Sequence, residues 1–314
     1  MDIKQLEYFL HVASTLNITH AAMRAHVSQP ALSRQIRLLE HELGMKLFKR
    51  KVRGVELTES GLRLLDRGRE LLADVGRLKA EIMARADEPT GSVRLASSNS
   101  LSHILTARVV ARYRALYPAV SIRVNENTSM VVREAIANNA ADIAILSDRE
   151  SFAGLSKEPL LTERLLLIGP REAKLKLSQA VEPKALTEID LILTPFPNGL
   201  RRVVDAILVR AGKTSTTKVE VDTNSLMIHM ARLGVGYAVL PYSGVHDALQ
   251  RGEVSAAPIR GTRWGWAVAS SRERALSTAA EKLATLIFSE TRLLLDGGQW
   301  ATASASAKGD AARA

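Results

Sequence analysis

Gln29, Ser33 and Arg34 stand at i, i+4 and i+5, so on a helix all three share one face. An amide, a hydroxyl and a guanidinium in that arrangement can donate to and accept from base edges in a DNA major groove. Ser28 precedes them, able to cap the helix with its hydroxyl, and Pro30 falls in the first turn, where a missing N–H costs nothing. Downstream, Lys46, Lys49, Arg50, Lys51 and Arg53 put five basic residues and no acid between positions 46 and 53. That run can lie along phosphates, and an arginine such as Arg53 can enter the minor groove. A solvated basic loop would read the same way, but directly after a base-reading helix the phosphate-binding hairpin is favoured.

Little else in the chain supplies chemistry. With no cysteine, disulfides, thiolate metal sites, iron–sulfur clusters and cysteine nucleophiles are excluded together. Seven histidines show no metal-ligand spacing, and neither a nucleophile elbow nor a phosphate-cradling glycine loop is present. The expectation is a protein that is not an enzyme and carries no cofactor. His20 and His26 read as helix-surface or packing residues, and His103 is the one histidine worth testing as part of a site.

The elements that must hold these residues are largely helical at first. Leu6, Phe9, Leu10 and Ala13 recur at helical spacing, and a short helix follows with Thr19 as its expected N-cap. Small Ala22, with Val27, Leu32 and Ile36 facing inward, completes a helix-turn-helix whose turn, His26-Val27-Ser28, lacks the usual glycine. Two β-like pieces flank Arg53-Gly54. From Thr58 to about Ala86 one helix is expected, and Leu64, Gly68, Leu71, Val75, Leu78 and Ile82 repeat at spacings of 4 and 3, which predicts a coiled-coil seam and hence a dimer.

After Pro89-Thr90-Gly91, short β-rich runs alternate with helices, so mostly parallel sheet is expected, in two α/β lobes. Beyond Trp300 nothing apolar is larger than alanine, which predicts a disordered tail. The expected domains are a head over 1–58, a linker helix over 59–90, lobes over 91–295 (the first about 91–164 with 267–295, the second about 165–266) and a tail over 296–314.

The 314 residues carry a formal charge of +10, from 43 basic and 33 acidic side chains. Residues 1–90 hold 15 and 12 of these, a net of +3, so placement rather than bulk charge marks the head for polyanions. Aliphatic runs such as Leu165–Ile168 are far short of the ~20 residues that cross a bilayer, and the polar N-terminus has no signal-peptide pattern. A cytoplasmic protein without a membrane partner is expected.

Ala21-Ala22, Ser28-Gln29-Pro30-Ala31-Leu32-Ser33-Arg34-Gln35-Ile36, Leu39-Glu40, Leu43-Gly44, Leu47-Phe48, Arg50 and Leu57-Thr58-Glu59-Ser60-Gly61 resemble, without a gap, the DNA-binding head of LysR-type transcriptional regulators. Tyr117-Pro118, Asp142-Ile143-Ala144-Ile145 and Leu233-Gly234-Val235-Gly236-Tyr237-Ala238-Val239-Leu240-Pro241 extend the similarity to about residue 295. Pro197-Asn198-Gly199-Leu200-Arg201-Arg202 looks like the branch related to the nitrogen assimilation control regulator.

The resemblance implies an α/β protein with an α-rich winged helix-turn-helix head, a long dimerisation helix, and a two-lobed effector domain like a periplasmic binding protein. Its implied partners are double-stranded promoter DNA, a small effector, further copies of itself as a dimer of dimers, and RNA polymerase. The DNA contacts it implies are Gln29, Pro30, Ser33, Arg34 and Arg53, to which position and charge add Thr19, Ser28 and Arg50. Effector contacts fall on Ser98, Asn99, Ser100, Thr128, Ser147, Asn198, Gly199, Thr223 and Asn224. Several of these precede helices, where free N–H groups favour a polar ligand, anionic ones included; ordinary N-caps are the plain alternative. Arg201 and Arg202 read either as charge for a carboxylate or as a solvated pair. An effector-independent regulator of the same family and a solute-binding protein remain as rival functions.

Overall fold

The computed structural model describes residues 1–51, 54–83, 89–213 and 219–305. The chain divides into two units, Met1–Ala84 and Arg85–Ala314.

The first unit comprises α1 (Ile3–Thr15), α2 (Ile18–Arg24), α3 (Gln29–Leu43), a hairpin of β1 (Phe48–Arg50) and β2 (Val55–Leu57), and α4 (Glu59–Met83). A capping box opens α1, Asp2 accepting from the Gln5 N–H while the Gln5 side chain accepts from the Asp2 N–H. The cap of α2 is Asn17 and not Thr19: the Asn17 carboxamide oxygen accepts from the N–H groups of both Thr19 and His20, at 2.9 and 3.1 Å, and so leaves Thr19 inside the helix. Ser28 caps α3 through the Ala31 N–H, with Pro30 in the first turn as expected. Leu6, Phe9, Ala22, Leu32, Ile36 and Leu39 form the buried core.

The glycine missing from the turn is replaced by His26, whose φ is 53°. His26 N–H donates to Met23 O and Val27 N–H to Ala22 O, the two bonds of a Schellman helix end, and that end requires a left-handed residue between them. An L-residue there costs ~1–2 kcal/mol that glycine does not. His26→Gly is therefore expected to raise the unfolding free energy by about 0.5–1 kcal/mol, part of the gain being offset by the freer unfolded chain. A thermal midpoint no higher than that of the wild type would show that the turn is unstrained.

Glu40, buried at the C-terminal end of α3, ties the hairpin down by accepting from the backbone N–H groups of Leu47 and Phe48 at 2.9 and 3.2 Å and from Lys46 Nζ at 2.8 Å. The seam expected on α4 is partly spent within the head. Leu64 packs on the head core, and Gly68 is buried so close to α1 that a Cβ would stand 2.7 Å from Leu6 Cδ1. Leu71 and Leu78 remain 46% and 56% exposed, Val75 is half-buried, and the Ile82 side chain lies outside the described residues.

The second unit runs β3 (Gly91–Ser98), α5 (Ala107–Leu116), β4 (Val120–Asn127), α6 (Ser129–Ala137), β5 (Ile143–Ser147), β6 (Leu155–Glu163), β7 (Leu165–Pro170), β8 (Leu191–Leu193), α7 (Gly199–Arg210), β9 (Val219–Glu220), α8 (Asn224–Arg232), β10 (Tyr237–Pro241), α9 (Tyr242–Gln250), β11 (Val254–Pro258), β12 (Trp264–Ser271), α10 (Thr278–Asp296) and β13 (Ser304–Ala305). One sheet has the order β13-β6-β12-β5-β3-β4 and the other β11-β7-β10-β8-β9, so there are two lobes.

Both sheets are mixed and not mostly parallel. Strands β3, β4 and β5 pair parallel, as do β8, β9 and β10, whereas β12 runs antiparallel to β5 and β6, and β7 antiparallel to β10 and β11. The cause is the crossover: β6 continues through Arg164 into the other sheet, and β12 returns from it running the opposite way. Strand β6 was not foreseen because Lys157, Glu158 and Pro159 interrupt its apolar pattern; a bulge opposite Trp266 and Ala267 accommodates the proline. The tail expected to be disordered is ordered at its start. Trp300 is buried, and Ser304–Ala305 pairs antiparallel with β6 at Thr162 and Leu161. Among the described residues no helix is long and apolar enough to cross a membrane.

Candidate functional site

On α3 the expected face is in place. Gln29, Pro30 and Arg34 are exposed and Ser33 half-buried, with Gln29 Nε2 donating to Ser33 Oγ at 3.0 Å; Thr19 and Ser28 are also exposed. The hairpin forms with Phe48 opposite Leu57 and Arg50 opposite Val55. Arg53, expected at its tip, lies outside the described residues. The basic run is less free than its composition implied, because Lys46 pairs with Glu40 and Lys51 with Glu56 at 2.9 Å. Lys49 and Arg50 are exposed on β1.

In the second unit a cavity of about 260 Å³ opens between the lobes. Ser98, Asn99, Ser100, Thr128 and Ser147 line it from the six-stranded side, and Asn198, Gly199 and Asn224 from the five-stranded side. Thr223, the ninth residue expected there, lines a separate hollow of about 330 Å³ with His103 and Asp247.

The N-cap alternative holds for only one of these positions. The Asn198 carboxamide oxygen accepts from the Leu200 N–H at 2.8 Å, capping α7, whereas the side chains of Ser98, Thr128 and Thr223 make no capping bond. The first turns of α6 and α8 thus reach the cavity without a side-chain cap. Three serines are strung along the first lobe, Ser129 Oγ lying 3.4 Å from Ser98 Oγ and accepting from the Ser147 N–H at 3.1 Å. Asn224 Nδ2 donates to Ser100 Oγ at 2.9 Å, joining the lobes at the cavity wall. Gly244 leaves room for that bond, since a Cβ there would stand 3.1 Å from Asn224 Nδ2.

Several lining residues were not foreseen: Trp264, Trp266, Glu150, Thr194, Phe196 and Asp222. Trp264-Gly265-Trp266 carried a signal, because alternate residues of a strand face the same side and two of three tryptophans sit there. Trp264 Nε1 and Thr194 Oγ1 are buried without a hydrogen-bond partner. Arg201 is neither solvated nor in the cavity: it is buried, ion-paired with Asp205 at 2.9 Å and with Glu220, and donates to Thr194 O.

Behind the cavity, at the end of β6, Glu163 is fully buried. It accepts from the indole N–H groups of Trp266 and Trp300 and from the backbone N–H and hydroxyl of Ser243, the first residue but one of α9. Burial pushes its carboxyl above the ordinary value, and these four hydrogen bonds only partly oppose that.

Residues 3–62 match the bacterial regulatory helix-turn-helix protein family of the lysR type, and residues 86–292 match the LysR substrate binding domain. The chain belongs to the LysR family. Similar proteins include the nitrogen assimilation regulatory protein nac of Escherichia coli, 29% identical over 79% of this chain and 80% of that one, and the HTH-type transcriptional regulator BbuR of Bordetella bronchiseptica, 26% identical over 96% and 93%. Among solved structures, full-length CbnR complexed with its target DNA aligns with a TM-score of 0.71 at 22% identity, covering 92% of this chain and all of that one. Full-length OxyR of Pseudomonas aeruginosa aligns at 0.63 and 21% identity, covering 93% and 98%. This LysR-family chain is accordingly a DNA-binding transcriptional regulator with an effector-binding domain.

Proposed function

We propose that this LysR-family regulator binds promoter DNA as a dimer or a dimer of dimers through the α3 face and the hairpin, and that a small polar metabolite in the inter-lobe cavity sets its effect on RNA polymerase. The observation that carries the metabolite reading is the convergence of eight expected positions on one cavity, with the Ser98 and Thr128 side chains not used as caps. Exposed Leu71 and Leu78, seven residues apart on α4, support pairing of two chains along that stripe.

Leu71→Asp is expected to halve the particle mass seen by light scattering, since a charge in an apolar seam must be desolvated without a partner; an unchanged mass would remove α4 from the interface. The double change Ser98→Ala and Thr128→Val is expected to abolish the response of promoter binding to the metabolite while leaving binding in its absence intact. A full response in that double variant would place the ligand elsewhere.

A further inference from the structure

The charges around the inter-lobe cavity narrow what it can hold. Among the described residues lining it there is no lysine, arginine or histidine, and the two charged side chains are acidic, Glu150 from the first lobe and Asp222 from the second. Glu150 is buried, yet its one ion pair is long: Arg133 Nη1 lies 3.8 Å from Oε2, beyond hydrogen-bond distance. Its Oε1 faces the opposite lobe, where a Cβ on Gly199 would stand 3.4 Å from it, 3.8 Å from the Trp264 ring and 3.8 Å from Arg202 Nη2, a guanidinium near Glu150 that does not line the cavity. A buried carboxylate so lightly partnered calls for a cation or a strong donor.

The same cavity also calls for an acceptor. Trp264 Nε1 can only donate, and it is buried with no partner in a side chain that is 4% exposed; the Thr194 hydroxyl, equally buried, is in the same condition. Buried polar atoms of this kind are rarely left unpaired unless a ligand or water completes them. The first turns of α6 and α8 add N–H groups that no side chain caps. A simple anion would satisfy these donors but would enter beside two carboxylates, and the arginines nearest them, Arg133 and Arg202, stand outside the lining. A simple cation would satisfy Glu150 and leave the donors orphaned.

We propose that the cavity takes a small zwitterion of the α-amino acid class, its ammonium against Glu150 and its carboxylate against the open helix starts and the Trp264 indole N–H. Pro195, Phe196, Met130 and Leu200 supply the apolar wall for its side chain. This rests on the reading of the cavity as an effector site and specifies the chemical class of the effector.

The test is a titration of the full-length protein with each of the common α-amino acids, alongside its deaminated acid and its decarboxylated amine, read by thermal midpoint and calorimetry. At least one amino acid is expected to bind, with both truncated analogues at least tenfold weaker. Glu150→Gln should weaken that amino acid by tenfold or more, and Trp264→Phe, which keeps a ring and removes the donor, by about tenfold. Should either variant fail to fold, the other together with the analogue series still decides. If a carboxylic acid lacking the amine binds as tightly as its parent, or Glu150→Gln leaves affinity unchanged, the zwitterion is overturned while the effector site stands. If amino acids fail but a sugar or a mono-anion binds and protects the tryptophans, the class is likewise wrong. If no compound of any class binds, the effector reading itself falls with it.

Discussion

Replacing Glu163 by alanine is expected to lower the unfolding free energy by about 3–5 kcal/mol, because it strands two indole N–H groups and both donors of Ser243 in a fully buried space. These donors come from β12, from the segment after α10 and from the start of α9, so the loss is felt where both lobes and the ordered start of the tail meet. Denaturant titration measures it, and a loss under about 1 kcal/mol, the ordinary size of a surface change, would mean that water replaces the carboxylate without penalty. The pH dependence has a definite sign. Burial raises the folded-state value above the ordinary 4.5, so the folded protein binds the proton more tightly than the unfolded chain does. The contribution of this group is then fully present below pH 4.5 and is lost as pH rises through the folded value. Glu163→Gln cannot ionise and lacks that slope. Wild-type stability minus Glu163→Gln stability should therefore fall as pH increases from 4.5, and a difference that stays flat would show that the carboxyl is ionised at no cost.

Arg34→Ala is expected to weaken binding to the cognate promoter site by ~1–3 kcal/mol, roughly five- to 150-fold, with little change on random DNA. Arg34 is exposed on the same face as Gln29, where a guanidinium can reach two acceptors of a guanine edge. Arg50→Ala, altering an exposed basic residue of the hairpin, should instead weaken cognate and random DNA alike and reduce the salt dependence by about one counterion. Competition binding at several salt concentrations separates the two patterns. Equal losses on both DNAs for Arg34→Ala would move that residue from base reading to phosphate contact.

How much could be read beforehand follows from the range of the interactions involved. The helix-turn-helix was legible because its determinants are local: the period that turns Leu32 and Ile36 inward turns Gln29 and Arg34 outward, and Ser28 and Pro30 mark the start of α3 within three residues. In this part of the head the structure departs from the local pattern only in fine detail, Asn17 capping α2 in place of Thr19. The basic run was legible as composition, but its pairing was not, since Glu40 meets Lys46 by folding back across the end of α3. The spacing on α4 predicts a single interface, whereas Gly68 serves contact with Leu6, more than sixty residues earlier in the chain.

By itself, then, the sequence determined the helices of the head and most helices and strands of the lobes, though not β6 or the strand in the tail, together with the polar face of α3 and the small polar residues that precede the helices of the lobes. Each of these follows from periodicity, capping and propensity acting over a few residues. Only the tertiary structure decided that β12 returns antiparallel, that Glu163 becomes a buried acceptor for four donors, and that Glu150 and Trp264 meet Gly199 of the opposite lobe at a cavity whose described lining holds no basic side chain. Those outcomes depend on groups distant in sequence being desolvated together, and the sign of the charge a cavity will accept is known only when all of its walls are in place.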